Sequence, residues 1–187
     1  TENYGHNYVL MLLGGFFLAK AIELSNLHKR VALIIISKLG TSRKRMMLSF
    51  MIATAFLSFW IANVAVVLLM LPIALAIVSK EEENENSHPK FGLAMMLAIA
   101  YAASVGGTGS LIGTPPNMVF AGVFEKAFPH LPEIDFLEWM KLGTPIVLII
   151  LPIIWIYLTK YFKIDGEFAG SKEIINEEIK QLGKFSV

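Results

Sequence analysis

The sequence predicts an all-α, polytopic integral membrane protein that contains a re-entrant helical hairpin and a broken transmembrane helix. The chain of 187 residues is 55% hydrophobic and 17% charged, whereas soluble domains are about 45–50% apolar and about 25% charged. No charged residue occurs at positions 46–78 or 91–124. Uncharged stretches of this length are typical of chain in lipid, because a spanning helix needs about 20 apolar residues.

Composition also argues against several classes of soluble protein. The net charge of +1 and the lack of a basic stripe interleaved with aromatic residues give no indication of nucleic-acid binding. The chain has no cysteine, which excludes disulfides and thiolate metal sites. Ser58 and Ser110 have no histidine or acid within their own segments to activate them, so we expect no enzymatic activity.

The first elements along the chain are a membrane span at residues 7–24 and an interfacial helix at residues 27–39. The second segment is too short to span the membrane, and basic residues flank it, as is typical of a helix lying on the membrane surface. Six basic residues lie between Lys29 and Arg45. By the positive-inside rule, this loop faces the cytoplasm.

Residues 46–78 are predicted to form the re-entrant hairpin. As one straight helix, these roughly 33 residues would extend about 50 Å, against a hydrocarbon core of about 30 Å, and two full spans would need about 40 residues. Polar side chains interrupt the run at residues 58–64, which we predict to be the tip. The acidic residues 80–90 are expected to form a solvated loop on the cytoplasmic side, with no further role.

Residues 91–124 are predicted to form one span that is broken near its centre by the Gly-rich segment 106–117. A short external connection at residues 127–139 leads to the last span at residues 142–161. Residues 162–187 are expected to be a cytoplasmic tail, because lysines recur there. The whole chain is interpreted as a single membrane domain, and we expect it to be a fragment of a longer protein.

The two interruptions are the candidate functional site. Main chain without regular hydrogen bonds is tolerated at membrane depth only where protein buries it or where it lines a watery cavity. Pairs of broken helices are typical of transporter binding sites, where helix N-termini face anions and unwound carbonyls hold the coupling cation. Since glycine and proline are common in membrane helices, either interruption alone could equally serve packing.

The candidate residues share a flexible main chain or a neutral polar side chain. Glycines allow a ligand to approach the backbone, prolines leave carbonyls free, and neutral oxygens suit hard cations. They are Gly106, Gly107, Thr108, Gly109, Ser110, Gly113, Thr114, Pro115, Pro116 and Asn117 in the loop, with Ser58 and Asn63 in the hairpin tip. Neither interruption contains an ionisable side chain of the kind used in proton relays, so sodium is the expected coupling ion.

These segments resemble the divalent anion/sodium symporter family of dicarboxylate, citrate and sulfate carriers. The resemblance rests on the hairpin sequence Phe-Leu-Ser-Phe-Trp-Ile-Ala-Asn-Val followed by Pro72, and on Ile-Gly-Thr-Pro-Pro-Asn at residues 112–117. It covers nearly the whole chain and implies the N-terminal half of an elevator-type carrier. The first two spans and the second half would lie outside this chain, and the carrier would be a homodimer in the plasma or inner membrane.

The resemblance also implies roles for individual residues. Ser58, Asn63 and Gly107 would bind the first sodium ion, and Asn63, Thr108 and Thr114 would border a small anionic substrate. The family has Ser-Asn-Thr where this chain has Ala62, Asn63 and Val64. Two hydroxyls are therefore missing, each typically worth about 1–3 kcal/mol to a buried site that depends on it.

Three functions remain open from the sequence. The first is sodium-coupled transport of a small anion, most simply a di- or tricarboxylate. The second is transport of another anion, or coupling to protons, in a related carrier. The third is a non-transporting membrane scaffold, in which Ala62 and Val64 indicate that the binding site has been lost.

Overall fold

A computed structural model describes residues 7–25, 27–38, 42–84 and 86–167. Every regular element in these ranges is a helix, and an isolated bridge pairs Ser42 with Glu167. The seven helices are α1 (Asn7–Leu24), α2 (Leu27–Lys38), α3 (Arg43–Ser58), α4 (Asn63–Glu82), α5 (Phe91–Gly107), α6 (Pro115–Ala127) and α7 (Phe136–Tyr161). Residue 39 of the predicted interfacial helix and residues 168–187 of the predicted tail lie outside the described residues.

The uncharged run at residues 46–78 is not one rod, because the chain leaves helical geometry between Ser58 and Asn63. The main-chain amides of Trp60 and Ile61 both donate to Leu57 O at 3.0 Å, and these bonds terminate α3. α4 then begins without a side-chain cap, since its N-cap is Ala62. Both helices extend beyond the uncharged run into charged sequence, so they are longer than the half-length arms predicted for the hairpin.

α5 and α6 are separated by a turn at residues 108–114. Pro115 and Pro116 occupy the first positions of α6, where a missing amide hydrogen costs no helical bond. α6 continues to Ala127, three residues beyond the predicted end of the broken span.

The helix that contains the predicted last span starts earlier than residue 142. α7 begins at Phe136, because Asp135 caps it by accepting a hydrogen bond from Glu138 N at 2.7 Å. The connection between α6 and α7 is correspondingly short, and Trp139 belongs to the helix.

α3 is the central helix, packed against α2, α4, α5 and α7, while α5 also packs against α4 and α7. The buried core is rich in alanine and methionine; its largest fully buried side chains include Phe50, Met70, Phe91 and Met95. Near the end of α5, a Cβ added to Gly106 would lie 2.5 Å from Ala55 Cα. Glycine is required there because the main chains of α3 and α5 touch, a close approach typical of membrane helix packing.

An ion pair joins the start of α3 to the end of α4. Arg43 Nε donates to Glu81 Oε1 at 2.6 Å, and the two side chains are 8% and 1% exposed. Arg43 also donates to Asn86 O (2.6 Å) and to Asp165 O (2.8 Å), which ties in the chain after α7. A Cβ at Gly166, whose φ is +88°, would lie 2.5 Å from Arg43 Nη1, so only glycine fits beside the guanidinium. The start of α3 and the end of α4 are thereby held together.

Two of the described helices, Asn63–Glu82 and Phe136–Tyr161, are long and apolar enough to cross a membrane. Only 33% and 28% of the most apolar segments of these two helices are buried within the chain. Apolar faces left open to this extent are expected of helices that contact lipid or further protein. The described part of the chain is thus all-helical and has the character of a membrane protein.

Candidate functional site

The turn after α3 and the turn after α5 contact each other. Ser110 Oγ donates to Phe59 O across the two turns. The Phe59 ring lies directly against the α-carbon of Gly109, so a Cβ there would collide with the ring. The two interruptions predicted from the sequence therefore form one structural unit.

Asn63, the first residue of α4, lies between the two turns. Oxygen acceptors surround its amide, so the nitrogen faces them and lies 2.7 Å from Ser58 Oγ, 3.2 Å from Gly113 O and 3.3 Å from Ala103 O. Ser58 Oγ in turn donates to Ala103 O at 2.8 Å. The same amide packs on Gly107, where any side chain would overlap it. One asparagine thus joins α3, α4, α5 and the loop after α5.

Main-chain oxygens converge on Gly113. A Cβ added there would lie 2.5 Å from Gly107 O and 2.7 Å from Ser58 O. These oxygens come from the C-terminal ends of α5 and α3, where helix carbonyls have no intrahelical partner and the helix dipole is negative. Such a group of neutral oxygens is suited to a hard cation.

The N-termini of α4 and α6 adjoin the same region. Neither is capped by a side chain: Ala62 has no polar group, and the hydroxyl of Thr114 makes no cap bond. In α6 the first two positions are prolines, which have no amide hydrogen, so the free donors belong to the first turn of α4. An uncapped helix N-terminus with free amides favours an anion.

Ser110 and Asn117 hold the loop together from within. Asn117, 7% exposed, donates from Nδ2 to Gly107 O at 2.9 Å and to Ser110 O at 2.8 Å. Ser110 Oγ accepts from Gly113 N at 3.1 Å. Both side chains fix the shape of the turn, and their polar atoms face the chain itself.

The two threonines differ in how they meet the other candidate residues. Thr108 is exposed, and its hydroxyl donates to Val105 O of its own helix at 2.7 Å. Thr114 is half-buried at the start of α6. In this conformation the hydroxyl of Thr108 is directed to α5 and not to Asn63, whereas Ser58, Asn63 and Gly107 are in direct contact.

Sequence reasoning missed two contributors to this region, Ala103 and Trp139. Ala103 acts through its carbonyl, and a main-chain acceptor leaves no side-chain signal. Trp139 Nε1 donates to Thr108 O at 2.9 Å, but its position was assigned to a loop. The pattern Asp135 followed three residues later by Glu138 is a helix N-terminus signal and could have corrected that assignment.

A cavity of about 430 Å³ lies beside the site, between α5 and α7. Its lining is mainly apolar, and it includes Thr108, Trp139 and Gly143. The hydroxyls of Ser104 and Thr108, which also line it, donate to carbonyls of α5. The cavity therefore offers few polar groups to an ion, in contrast to the region around Asn63.

Comparison with known proteins finds relatives over nearly the whole chain. A family model described as a citrate transporter matches residues 1–182. A sodium-dependent dicarboxylate transporter of Staphylococcus saprophyticus is 45% identical, covering 98% of this chain and 37% of the relative. A protein of the same description from Staphylococcus aureus is 41% identical, covering 98% of this chain and 36% of the relative. The chain thus spans little more than a third of these relatives, whose names are those of transporters and not of enzymes.

Proposed function

This chain belongs to the citrate transporter family, and from that premise we propose that it is part of a carrier that moves a small carboxylate across a membrane together with sodium. The observation that supports this most is the meeting of two broken helices around the Asn63 amide. Two such interruptions in one region would leave several main-chain groups unpaired in lipid, at several kcal/mol each, unless they serve a site.

Sodium is the co-transported ion in this proposal. Its ligands are Ser58 Oγ, Gly107 O and the amide oxygen of Asn63, which remains available because the nitrogen of that amide faces Ser58, Gly113 and Ala103. All are neutral oxygens, and residues 58–63 and 106–117 contain no ionisable side chain. The staphylococcal relatives carry "sodium-dependent" in their names, which supports the same ion here.

The substrate is a di- or tricarboxylate bound next to the sodium ion. Its carboxylate lies at the uncapped first turn of α4, close to Asn63, and is bordered by Thr108 and Thr114. Rotation of the Thr108 hydroxyl away from Val105 O would supply a donor to that carboxylate. With Ala62 and Val64 in place of hydroxyl residues, main-chain amides of α4 provide a larger share of the contacts.

The α3–α4 pair is proposed to be a re-entrant hairpin. The buried Arg43–Glu81 pair holds the start of α3 and the end of α4 together. This contact supports a chain that returns to the side of the membrane from which it entered. Arg43 is followed by Lys44 and Arg45, which favours a cytoplasmic base. In this proposal α5 and α6 form the broken span, α7 crosses the membrane completely, and residues 7–24 (α1) form a further span.

The whole carrier would hold a second half outside this chain and would act as a homodimer in the plasma or inner membrane. Its hairpins and broken helices would move together in an elevator-type cycle. A non-transporting scaffold is the second candidate, because Ala62 and Val64 lack the hydroxyls of the family motif.

Uptake measurements on the whole protein test this proposal. Reconstituted in liposomes, it should take up labelled dicarboxylate or citrate under an inward sodium gradient, and not when potassium replaces sodium at equal ionic strength. Labelled sulfate serves as the competing substrate class. Uptake that follows a proton gradient irrespective of sodium would contradict the sodium assignment, and no uptake of any of the three would favour the scaffold.

A further inference from the structure

α7 reaches the Gly-rich turn through one directed hydrogen bond. The indole nitrogen of Trp139 donates to Thr108 O at 2.9 Å, from the first turns of α7 to the C-cap residue of α5. An N–H···O bond of this length is close to the preferred distance. The carbonyl of Thr108 is therefore held toward α7.

The main chain of α7 also contacts the Gly-rich turn at Gly143, four residues after Trp139. A Cβ added to the buried Gly143 would lie 2.7 Å from Thr108 O, 3.0 Å from Gly109 O and 3.1 Å from Gly109 Cα. Real Cβ contacts this short do not occur without movement of one partner. Gly143 thus lets α7 approach the turn from the same side as the Trp139 bond.

Consecutive carbonyls of the turn consequently have different partners. Gly107 O faces Asn117 Nδ2 and the α-carbon of Gly113, in the region around Asn63. Thr108 O faces Trp139 and Gly143 of α7. Gly107 O therefore faces the region around Asn63, whereas the contact with α7 holds Thr108 O facing α7.

We propose that Trp139 and Gly143 are positioning residues that set the affinity of the sodium site by fixing which carbonyl of the turn faces it. This inference rests on the proposed function. If the indole bond is lost, the turn can rotate, and Gly107 O no longer holds one orientation relative to Ser58 and Asn63. The ion is then bound by a less preorganised set of oxygens, which weakens binding without touching a ligand.

The matched test compares Trp139→Phe with Trp155→Phe in the whole carrier. Both tryptophans lie on α7 and both donate to a main-chain carbonyl, but Trp155 Nε1 donates to Lys44 O at 3.0 Å, at the other end of the helix. Trp139→Phe should raise the sodium concentration for half-maximal thermal stabilisation and for half-maximal uptake about three- to tenfold, the effect of one hydrogen bond. The maximal uptake rate at saturating sodium should be retained, and Trp155→Phe should leave the sodium midpoint unchanged.

Gly143→Ala provides an independent variant that keeps the indole. Its methyl group must displace the Thr108–Gly109 carbonyls, so the sodium midpoint should rise in the same direction. Gly14→Ala is the control, because a Cβ at Gly14 meets nothing within 4 Å. A merely structural role would lower the amount of folded protein or the maximal rate in both α7 variants and leave the sodium midpoint in place.

The outcomes separate the inference from its premise. Sodium-dependent wild-type uptake with unchanged sodium midpoints in Trp139→Phe and Gly143→Ala would overturn the inference alone. Wild-type uptake with no sodium dependence would contradict the proposed function, and the role of Trp139 would fall with it.

Discussion

At the scale of single residues, Asn63 has more structural partners than any hydroxyl around it. Its amide nitrogen lies within donating distance of one side chain and two main-chain carbonyls from different elements. The side chains of its neighbours Ala62 and Val64 contribute no polar atoms, and Val64 is 72% exposed. In the proposed site, the α4 N-terminus would therefore bind the anion mainly through its main-chain amides.

Restoring the missing hydroxyls should strengthen substrate binding. In the double variant Ala62→Ser, Val64→Thr, each new hydroxyl adds a donor next to the first turn of α4. The dicarboxylate concentration for half-maximal uptake should fall about tenfold, as expected for one to two added hydrogen bonds. Uptake by the whole carrier at saturating sodium measures this effect.

Val123→Thr is the control for that variant, because it adds a hydroxyl at a similarly exposed site on α6, 61% exposed. It should leave the half-saturating concentration unchanged. An unchanged or higher value in the double variant would indicate that the substrate does not contact the α4 N-terminus.

Residue-level prediction from the sequence works where a polar side chain or a glycine interrupts an apolar run. Ser58, Asn63, Gly107 and Asn117 are visible in this way, and the structure brings them into contact; their roles in binding stay predictions. The carbonyl of Ala103 has no side-chain signature. The contact between Trp139 and Thr108 depends on packing of α7 against α5, which the local sequence does not encode.

At the scale of helices, the closed base of the α3–α4 pair depends on a buried charge pair. Arg43 and Glu81 are 38 positions apart and almost completely buried, and Glu81 Oε1 also accepts from His88 N at 3.0 Å. The nearby Lys44–Asp165 pair is exposed, at 43% and 77%. There the pKa of Asp165 is lowered, first by its hydrogen bond from Lys44.

Removing the buried charge should destabilise the fold much more than removing the exposed one. Glu81→Gln leaves the Arg43 guanidinium buried without a counter-charge, which costs about 3 kcal/mol or more. Asp165→Asn should leave the free energy of unfolding nearly unchanged, because an exposed pair is screened by water. Chemical unfolding of the detergent-solubilised protein gives both free energies, and equal losses would mean that Arg43 and Glu81 do not close the base.

The boundaries of these helices were the least predictable part of the fold. The prediction ended the hairpin arms where the uncharged run ends, but Ser42 caps α3 by accepting from Arg45 N, and the Arg43–Glu81 pair extends both helices into charged sequence. The start of α7 was missed for a related reason, since its cap Asp135 lies in a segment that reads as a polar loop. Side-chain capping and the long-range ion pair therefore set helix boundaries that hydropathy alone does not predict.

At the scale of the whole molecule, the C-termini of two helices and the N-termini of two others lie in one region. The C-termini of α3 and α5 present carbonyls, and the N-termini of α4 and α6 adjoin them. An all-helical membrane class could be predicted from composition and from the two long uncharged stretches. That the two interruptions touch could only be expected from function or resemblance, because nothing in the sequence fixes their mutual distance.

The account therefore depends on whether these helix ends bind sodium, and sodium-dependent thermal stabilisation of the purified whole protein measures this directly. A ligand at 100 times its dissociation constant stabilises the folded state by about 2.7 kcal/mol. Sodium, and not potassium, should raise the melting temperature of the wild type. Asn63→Ala should abolish that rise, whereas Asn84→Ala, which alters an asparagine bonded to Lys80 O at the base of α4, should retain it. A wild type indifferent to sodium, or an Asn63→Ala variant that keeps the full sodium-induced rise, would contradict a sodium site at this junction.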